Sequence, residues 1–417
     1  MEYMKKTAEK HGLVCLLHEK PYKGVNGSGK HDNWSITTDT KENLLDPGAT
    51  PNENAQFLLF LMAVICAVDK HQDLLRISVA SAGNDHRLGG NEAPPAILSV
   101  FLGQNLSNML DNLVEKVGDN KMTPEEKTAL KLGIARIPDI MLDNTDRNRT
   151  SPFAFTGNRF EFRAAGSSAN CAASMIVINA AMAHQLNEFK AQIDALVNGG
   201  MEQEEALYKV LKETIIASKN IRFEGDGYSD EWRAEALKRG LTNISHVPEA
   251  IMRFNDPQSR SVLIGENIFN ENELTCRMEV ELEKFTKKVQ IESRIIGDLA
   301  INHIIPVATK YQSQLVDNVY KMKEILGAEG EALSASNINL IRRIANLVHK
   351  IESGVAEMIE CRKVANRTCG QYEKAIAYHD TVAPKLEELR SYIDDLEEVV
   401  DDSLWPLPKY RELLFIR

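Results

Sequence analysis

The stretch Asn26-Gly27-Ser28-Gly29-Lys30-His31-Asp32-Asn33-Trp34-Ser35 decides how the rest of the chain is read. It follows the apolar run Leu13-Val14-Cys15-Leu16-Leu17 and precedes Ile36-Thr37-Thr38-Asp39-Thr40, which predicts a loop between two strands. The three glycines Gly24, Gly27 and Gly29 allow a backbone to approach a ligand closely. His31, at the loop's exit into the second strand, is a candidate metal ligand. The spacing from Gly24 to Lys30 imitates a phosphate loop: glycine, four residues, glycine, lysine. That loop requires Ser or Thr next, to hold magnesium, and then a helix. Here His31 follows and the continuation reads as a strand, so the phosphate-loop reading is rejected.

Two further stretches belong with it. One is the loop Arg87-Leu88-Gly89-Gly90-Asn91-Glu92-Ala93-Pro94-Pro95; the other is Arg147-Asn148-Arg149-Thr150-Ser151 followed by Arg159-Phe160-Glu161-Phe162-Arg163. In the same order, these resemble the Asn-Gly-Ser-Gly-x-His loop, the Arg…Glu-Ala-Pro flap, and the Arg-Asn-Arg and Arg-x-Glu-x-Arg pair of glutamine synthetases. His18-Glu19-Lys20-Pro21, the Gly-Lys-His-x-Asn-Trp-Ser of residues 29–35, and Gly225-Asp226-Gly227-Tyr228-Ser229 resemble the long type III branch of that family. Each motif is weak alone, and the set is strong.

The 417 residues are enough for two or three domains, with 43% apolar and 26% charged residues, as in an ordinary globular protein. A net charge of −11 without a long Lys/Arg cluster argues against a nucleic-acid or anionic-membrane binder. Six cysteines at irregular spacing, with no Cys-x-x-Cys, predict buried thiols in a reducing compartment. The most apolar run, residues 57–68, is too short to cross a bilayer and reads as a buried helix, so a cytoplasmic protein is expected.

Taken in order, residues 1–10 read as a helix, 46–52 as a turn-rich loop, and 53–80 as a helix broken by Gly83-Asn84-Asp85-His86. Residues 96–102 read as a strand and 104–136 as two short helices, the second starting at Thr123-Pro124-Glu125-Glu126. Strands at 153–155 and 159–163 flank the turn Thr156-Gly157-Asn158, and a helix follows over 168–197. Beyond Asn198-Gly199-Gly200 the pattern is nearly all helix, with Pro306 as a kink in 271–326. Two heptad-like stripes (Ile341, Ile344, Val348, Ile351, Val355, Met358; Leu386, Leu389, Ile393, Leu396, Val400) predict an antiparallel hairpin turning at Thr368-Cys369-Gly370.

Side chains alternate across a strand, so Arg159, Glu161 and Arg163 share one face and the phenylalanines the other. Such a pattern serves a salt-bridge ladder or a carboxylate holding a cation between guanidiniums, and type and spacing leave both open. The resemblance implies the second. The matching family glutamate and histidine make Glu161 and His31 ligands of one Mg2+ or Mn2+ ion at the ATP phosphates. By the same matches Asn26, Gly27, Arg87 and Arg163 contact the glutamate, while Ser35, Asn33 and Arg159 lie on the nucleotide side. Arg149 matches an arginine that neutralises the phosphoryl group in transfer. Glu92 matches a family glutamate on a flap that closes over the reaction and excludes water, and a carboxylate there could take a proton from ammonium. There are departures: the family's usual second arginine after Arg-Asn-Arg has no clear equivalent, Ala154 standing near that place, and Asn33 occupies the position of a type I histidine.

The resemblance therefore implies an α+β fold. The carboxy-terminal part of a catalytic domain (1–265, an antiparallel sheet with helices) would be followed by an all-helical extension with a long hairpin (266–417). It implies ATP-dependent ligation of ammonia to L-glutamate through γ-glutamyl phosphate, by a homo-oligomer of stacked rings. The family's first metal-binding glutamates precede the Asn-Gly-Ser-Gly loop, yet only 25 residues precede Asn26 and no Glu-x-Glu strand is among them. The expectation is part of a longer type III enzyme with little activity alone. Two alternatives remain: another glutamate–amine ligase of the superfamily, and a non-catalytic chain that stabilises or regulates an oligomer.

Overall fold

The computed structural model describes residues 2–22, 26–48, 54–89, 93–118, 151–409 and 411–416. Helix α1 (Glu2–Lys10) is present, but the apolar run after it is not a strand. Only Leu13 bridges, antiparallel to Phe415, and residues 14–18 have no regular structure. The first strand, β1 (Gly29–Trp34), is instead the second half of the glycine-rich stretch, so His31 lies inside a strand. The strand expected at 36–40 shrinks to one bridge, Thr37 to Asn43. Both misses have one cause. A strand needs a neighbouring edge for its N–H and C=O groups, and only 29–34 finds one.

The chain divides into two compact units, Leu17–Met278 and Met1–Leu16 with Glu279–Arg417. In the first, α2 (Ala55–Lys70) is apolar around nearly its whole circumference, as a core helix must be. Asn54 caps it, its side chain accepting from the Phe57 N–H at 2.9 Å. The helix expected over 53–80 is interrupted at His71 and resumes as α3 (Gln72–Ser78). The stretch expected as a break contains a short helix, α4 (Ala82–Asp85). The strand expected at 96–102 forms only β2 (Val100–Phe101), and α5 (Gln104–Gly118) follows. The second helix expected before 136 lies outside the described residues.

The hairpin around Thr156-Gly157-Asn158 forms as β3 (Phe153–Phe155) and β4 (Phe160–Gly166), completing a four-stranded sheet of order β1-β4-β3-β2. β4 runs antiparallel to both β1 and β3, while β2 is parallel to β3, so the α+β fold carries a small mixed sheet. Its inner face is aromatic: Phe153 stacks on Phe160 at 5.0 Å between ring centroids, and Phe155 meets Phe160 at 5.2 Å and Phe57 of α2 at 6.0 Å. Each such ring, withdrawn from water, contributes about 2–3 kcal/mol. Helices α6 (Ala172–Asn198), α7 (Gln203–Ala217), α8 (Asp230–Lys238), α9 (Val247–Met252) and α10 (Pro257–Leu263) complete this unit.

Helix α11 (Glu271–Leu299) contains the boundary at Met278. In the helical unit, a π turn (Ala300–Ile304) precedes α12 (Ile305–Leu326), with Pro306 at its start. The sequence repeats this device. After α13 (Ala328–Leu333), α14 (Ala335–Arg367) and α15 (Gln371–Ala377), a second π turn (Tyr378–Val382) precedes α16 (Ala383–Glu397), with Pro384 at its start. A proline lacks the N–H and clashes with the carbonyl four residues back, and the wider turn relieves that clash. The expected hairpin is antiparallel: Glu357 pairs with Lys385 at 2.7 Å, and Arg343 with Glu398 at 3.7 Å. Ile344, Ile351, Met358, Leu389 and Leu396 are buried within it. All six cysteines are free, and Cys66 alone is buried; Cys276 and Cys369 are exposed, against the expectation of buried thiols. Among the described residues no helix is long and apolar enough to cross a membrane.

Candidate active site

The face of the sheet opposite the phenylalanines carries the polar residues. In the β1–β4 register Asn33 opposes Glu161, and Asp32 opposes Phe162. Between Lys30 and Asp32 the register slips, so that Arg163 and Ala164 together face His31. The bulge keeps His31, Asn33, Glu161 and Arg163 on one face: His31 Nδ1 lies 3.8 Å from Glu161 Oε2, and Arg163 Nε lies 3.5 Å from the same oxygen. Arg163 is buried (3% exposed), Glu161 half-buried, and the His31 ring is open to solvent on one side.

Burial lowers the pKa of His31, and the charge of Arg163 lowers it further, against the opposing pull of Glu161. The ring is therefore neutral near pH 7, as a metal ligand must be. Two donors 3.8 Å apart on one wall fit a single divalent cation, with the imidazole nitrogen beside a hard carboxylate oxygen. Among the described residues no cluster of three or more His, Cys, Asp or Glu side chains supplies a complete cage. His31 and Glu161 thus provide part of a coordination shell that water or phosphate oxygens would fill.

The glycine-rich loop wraps the end of this wall. Arg87 is 4% exposed, and its guanidinium donates to the backbone carbonyls of Arg163 at 3.1 Å and of Ala164 and Ala165 at 3.4 Å, and to Asn84 Oδ1 at 3.3 Å. It fills the space over Gly29, where an added Cβ would sit 2.1 Å from Arg87 Nη2, so any larger residue there would displace the guanidinium from its carbonyls. Asn26 is exposed and Gly27 lies against the Arg87 stem. At the far end of the hairpin the Ser35 hydroxyl donates to Asn43 Oδ1 at 2.6 Å and reaches the Asn158 carbonyl at 3.1 Å. Arg159 is exposed in the turn just before β4. The structure thus brings His31, Asn33, Glu161 and Arg163 together, sets Arg87, Asn26 and Gly27 at one end, and sets Ser35 and Arg159 at the other. Glu92 and Arg149 lie outside the described residues.

A family profile described as "Glutamine synthetase C-terminal domain" matches residues 206–323. A Bacteroides fragilis protein named glutamine synthetase is 63% identical over 418 residues, covering 100% of this chain and 57% of the relative. A type-3 glutamine synthetase of Dictyostelium discoideum is 39% identical over the whole chain, which covers 56% of it. A Butyrivibrio fibrisolvens glutamine synthetase is also 39% identical, with 58% of its length covered.

The chain is similar to glutamine synthetases along its whole length. It spans a little over half the length of the curated relatives it matches. Two residues of the β1 segment escaped the sequence reading of the site. Asp32 is buried on the reverse of β1; burial, and after it the hydrogen bond and charge of Asp32, push the Cys171 thiol up to about 11. Lys30 reaches the Ala169 carbonyl. Strand alternation places both opposite His31, a signal that the expected loop assignment concealed.

Proposed function

We propose that this chain carries part of the catalytic centre of a glutamate–ammonia ligase, in a unit read from sequence as 1–265, with 266–417 as a helical extension. The observation that carries the reading is the His31–Glu161 pair, 3.8 Å apart on a sheet wall backed by Arg163. In the reaction a γ-carboxylate oxygen of glutamate attacks the γ-phosphorus of ATP and ADP leaves. Ammonia nitrogen then attacks the γ-carbonyl carbon, phosphate departs and nitrogen sheds a proton. His31 and Glu161 would hold one Mg2+ or Mn2+ ion, which supplies charge neutralisation for the transferred phosphoryl group.

The chain's own residues bind and orient. Arg163, fixed by burial and by Glu161, offers a guanidinium toward a substrate carboxylate. Asn26 and Gly27 offer amide groups to the amino-acid end, and Arg87 belongs with them. Asn33, Ser35 and Arg159 take the nucleotide side, and Arg149 the phosphoryl group. Glu92, on the flap, excludes water and accepts a proton from ammonium. Glutamate, ammonia and ATP are the partners of this reading, within a homo-oligomer of stacked rings in the cytoplasm.

The test pairs Mn2+ binding, by electron paramagnetic resonance, with magnesium-dependent phosphate release from ATP in the presence of glutamate and ammonium. His31→Ala and Glu161→Gln should each weaken Mn2+ binding by about tenfold or more and abolish any glutamate-dependent release. Equal Mn2+ affinity in wild type and both variants would sink the reading.

A further inference from the structure

The His18-Glu19-Lys20-Pro21 motif has no part in the chemistry above, yet Glu19 is among the most buried charged residues of the chain, at 3% exposure. Its carboxylate Oε1 accepts from the Ser168 N–H at 2.9 Å and from the Ser168 hydroxyl. Ser168 stands just past the end of β4, the strand that carries Glu161 and Arg163. The Glu19 backbone carbonyl accepts from the Ser28 N–H at 2.8 Å, inside the glycine-rich loop. One residue therefore grips both parts of the site: its main chain holds the loop and its side chain holds the end of the strand.

The surroundings are shaped for that grip. A Cβ on Gly166 would meet Glu19 Oε1 at 2.6 Å, and one on Gly83, in α4, would meet Oε2 at 2.7 Å. A Cβ on Gly27 would meet the Glu19 carbonyl at 2.6 Å. Three separate segments thus leave room for this side chain and its carbonyl. Arg87 is tied into the same arrangement: burial lowers its pKa, and the charges of Tyr228 and then Glu19 oppose that fall.

We infer that Glu19 is a positioning residue, which sets Asn26 and Gly27 of the substrate loop at a fixed distance from the Glu161–Arg163 strand. The inference rests on the proposed function for what the loop binds, and on the structure alone for the linkage itself. A buried carboxylate with two donors from one residue holds its partner more rigidly than an exposed pair could, because water does not compete for the donors.

The experiment compares the full chain with its Glu19→Ala and Glu19→Gln variants by hydrogen-exchange mass spectrometry and, where turnover is measurable, by steady-state kinetics. Glu19→Ala should speed exchange over residues 26–34 about tenfold while residues 172–198 stay within about twofold of wild type. It should also raise the KM for glutamate about tenfold with a smaller change in kcat. Glu19→Gln keeps an oxygen acceptor for Ser168 and should remain within about threefold of wild type. Unchanged exchange over 26–34 in Glu19→Ala overturns the inference. So does equal acceleration across the whole unit, or a Gln variant as perturbed as the Ala variant. Absence of turnover in the wild-type chain counts against the proposed function only, since the exchange comparison needs no turnover and decides the linkage by itself.

Discussion

Acidification should release a specific amount of stability through His71. This residue closes α2, is 4% exposed, and has no hydrogen-bond partner at either ring nitrogen; its ring meets His184 edge-on at 5.5 Å between centroids. Burial, then the neighbouring His184, lowers its pKa from 6.5 to about 4, with Glu188 opposing and Lys70 reinforcing the fall. In the unfolded chain the ring binds a proton near pH 6.5, and in the folded chain only near pH 4. Between these values the unfolded state holds the extra proton. The contribution is therefore fully present above pH 6.5 and is lost as pH falls toward 4. The interval, at about 1.4 kcal/mol per pH unit, amounts to about 3 kcal/mol, most of it gone by about pH 4.5.

The assay is a urea series read by hydrogen exchange in peptides covering residues 55–78, for wild type and His71→Leu, at about pH 7.5 and about pH 4.5. Burial also raises the carboxyl pKa of Asp69 and Asp85, which changes stability in the opposite direction on acidification. Both variants share that effect, so it cancels in the difference. Wild type should lose about 2–3 kcal/mol more than His71→Leu between the two conditions. A difference that does not change with pH would refute the reasoning.

Three further outcomes follow from the packing. Phe162→Ala opens the aromatic face of the sheet, where Phe162 lies 5.9 Å from Phe153, and should cost about 3–5 kcal/mol in a denaturant titration. Gly29→Ala drives a Cβ into the Arg87 guanidinium and strands the carbonyls of Arg163, Ala164 and Ala165; a loss of about 1–3 kcal/mol, with weaker Mn2+ binding, is expected by thermal melting and paramagnetic resonance. In the helical unit, Tyr378→Phe removes the hydroxyl that donates to Asn366 at 2.8 Å and accepts from Gln290 at 3.0 Å, which should cost about 1 kcal/mol by thermal melting.

Much of the candidate site was legible because it is local. Alternation along residues 160–163 puts Glu161 and Arg163 opposite the phenylalanines whatever the sheet packs against, although burial does not follow it, since Arg163 is as buried as the rings behind it. The helical hairpin and its turn are likewise written in a three-and-four spacing that repeats along the chain. The strands at 13–17 and 36–40 were misread for the opposite reason. Apolar and β-branched character marks a segment able to pair, and pairing is settled by whichever edge lies beside it.

What the sequence by itself determined is the inventory: the resemblance to glutamine synthetases, the α+β class, the helical extension, and the residues that share a face. What only the tertiary structure decided is which of them touch. Glu19 and Ser168 stand 149 residues apart, and Arg87 reaches carbonyls 76 to 78 residues on. The slip in register that sets Arg163 and Ala164 against His31 exists only once two distant strands have paired. Periodicity arises from neighbours along the chain and can be read there. A bulge, a buried guanidinium or a carboxylate held by a remote serine arises from excluded volume and hydrogen-bond satisfaction among segments that meet only on folding.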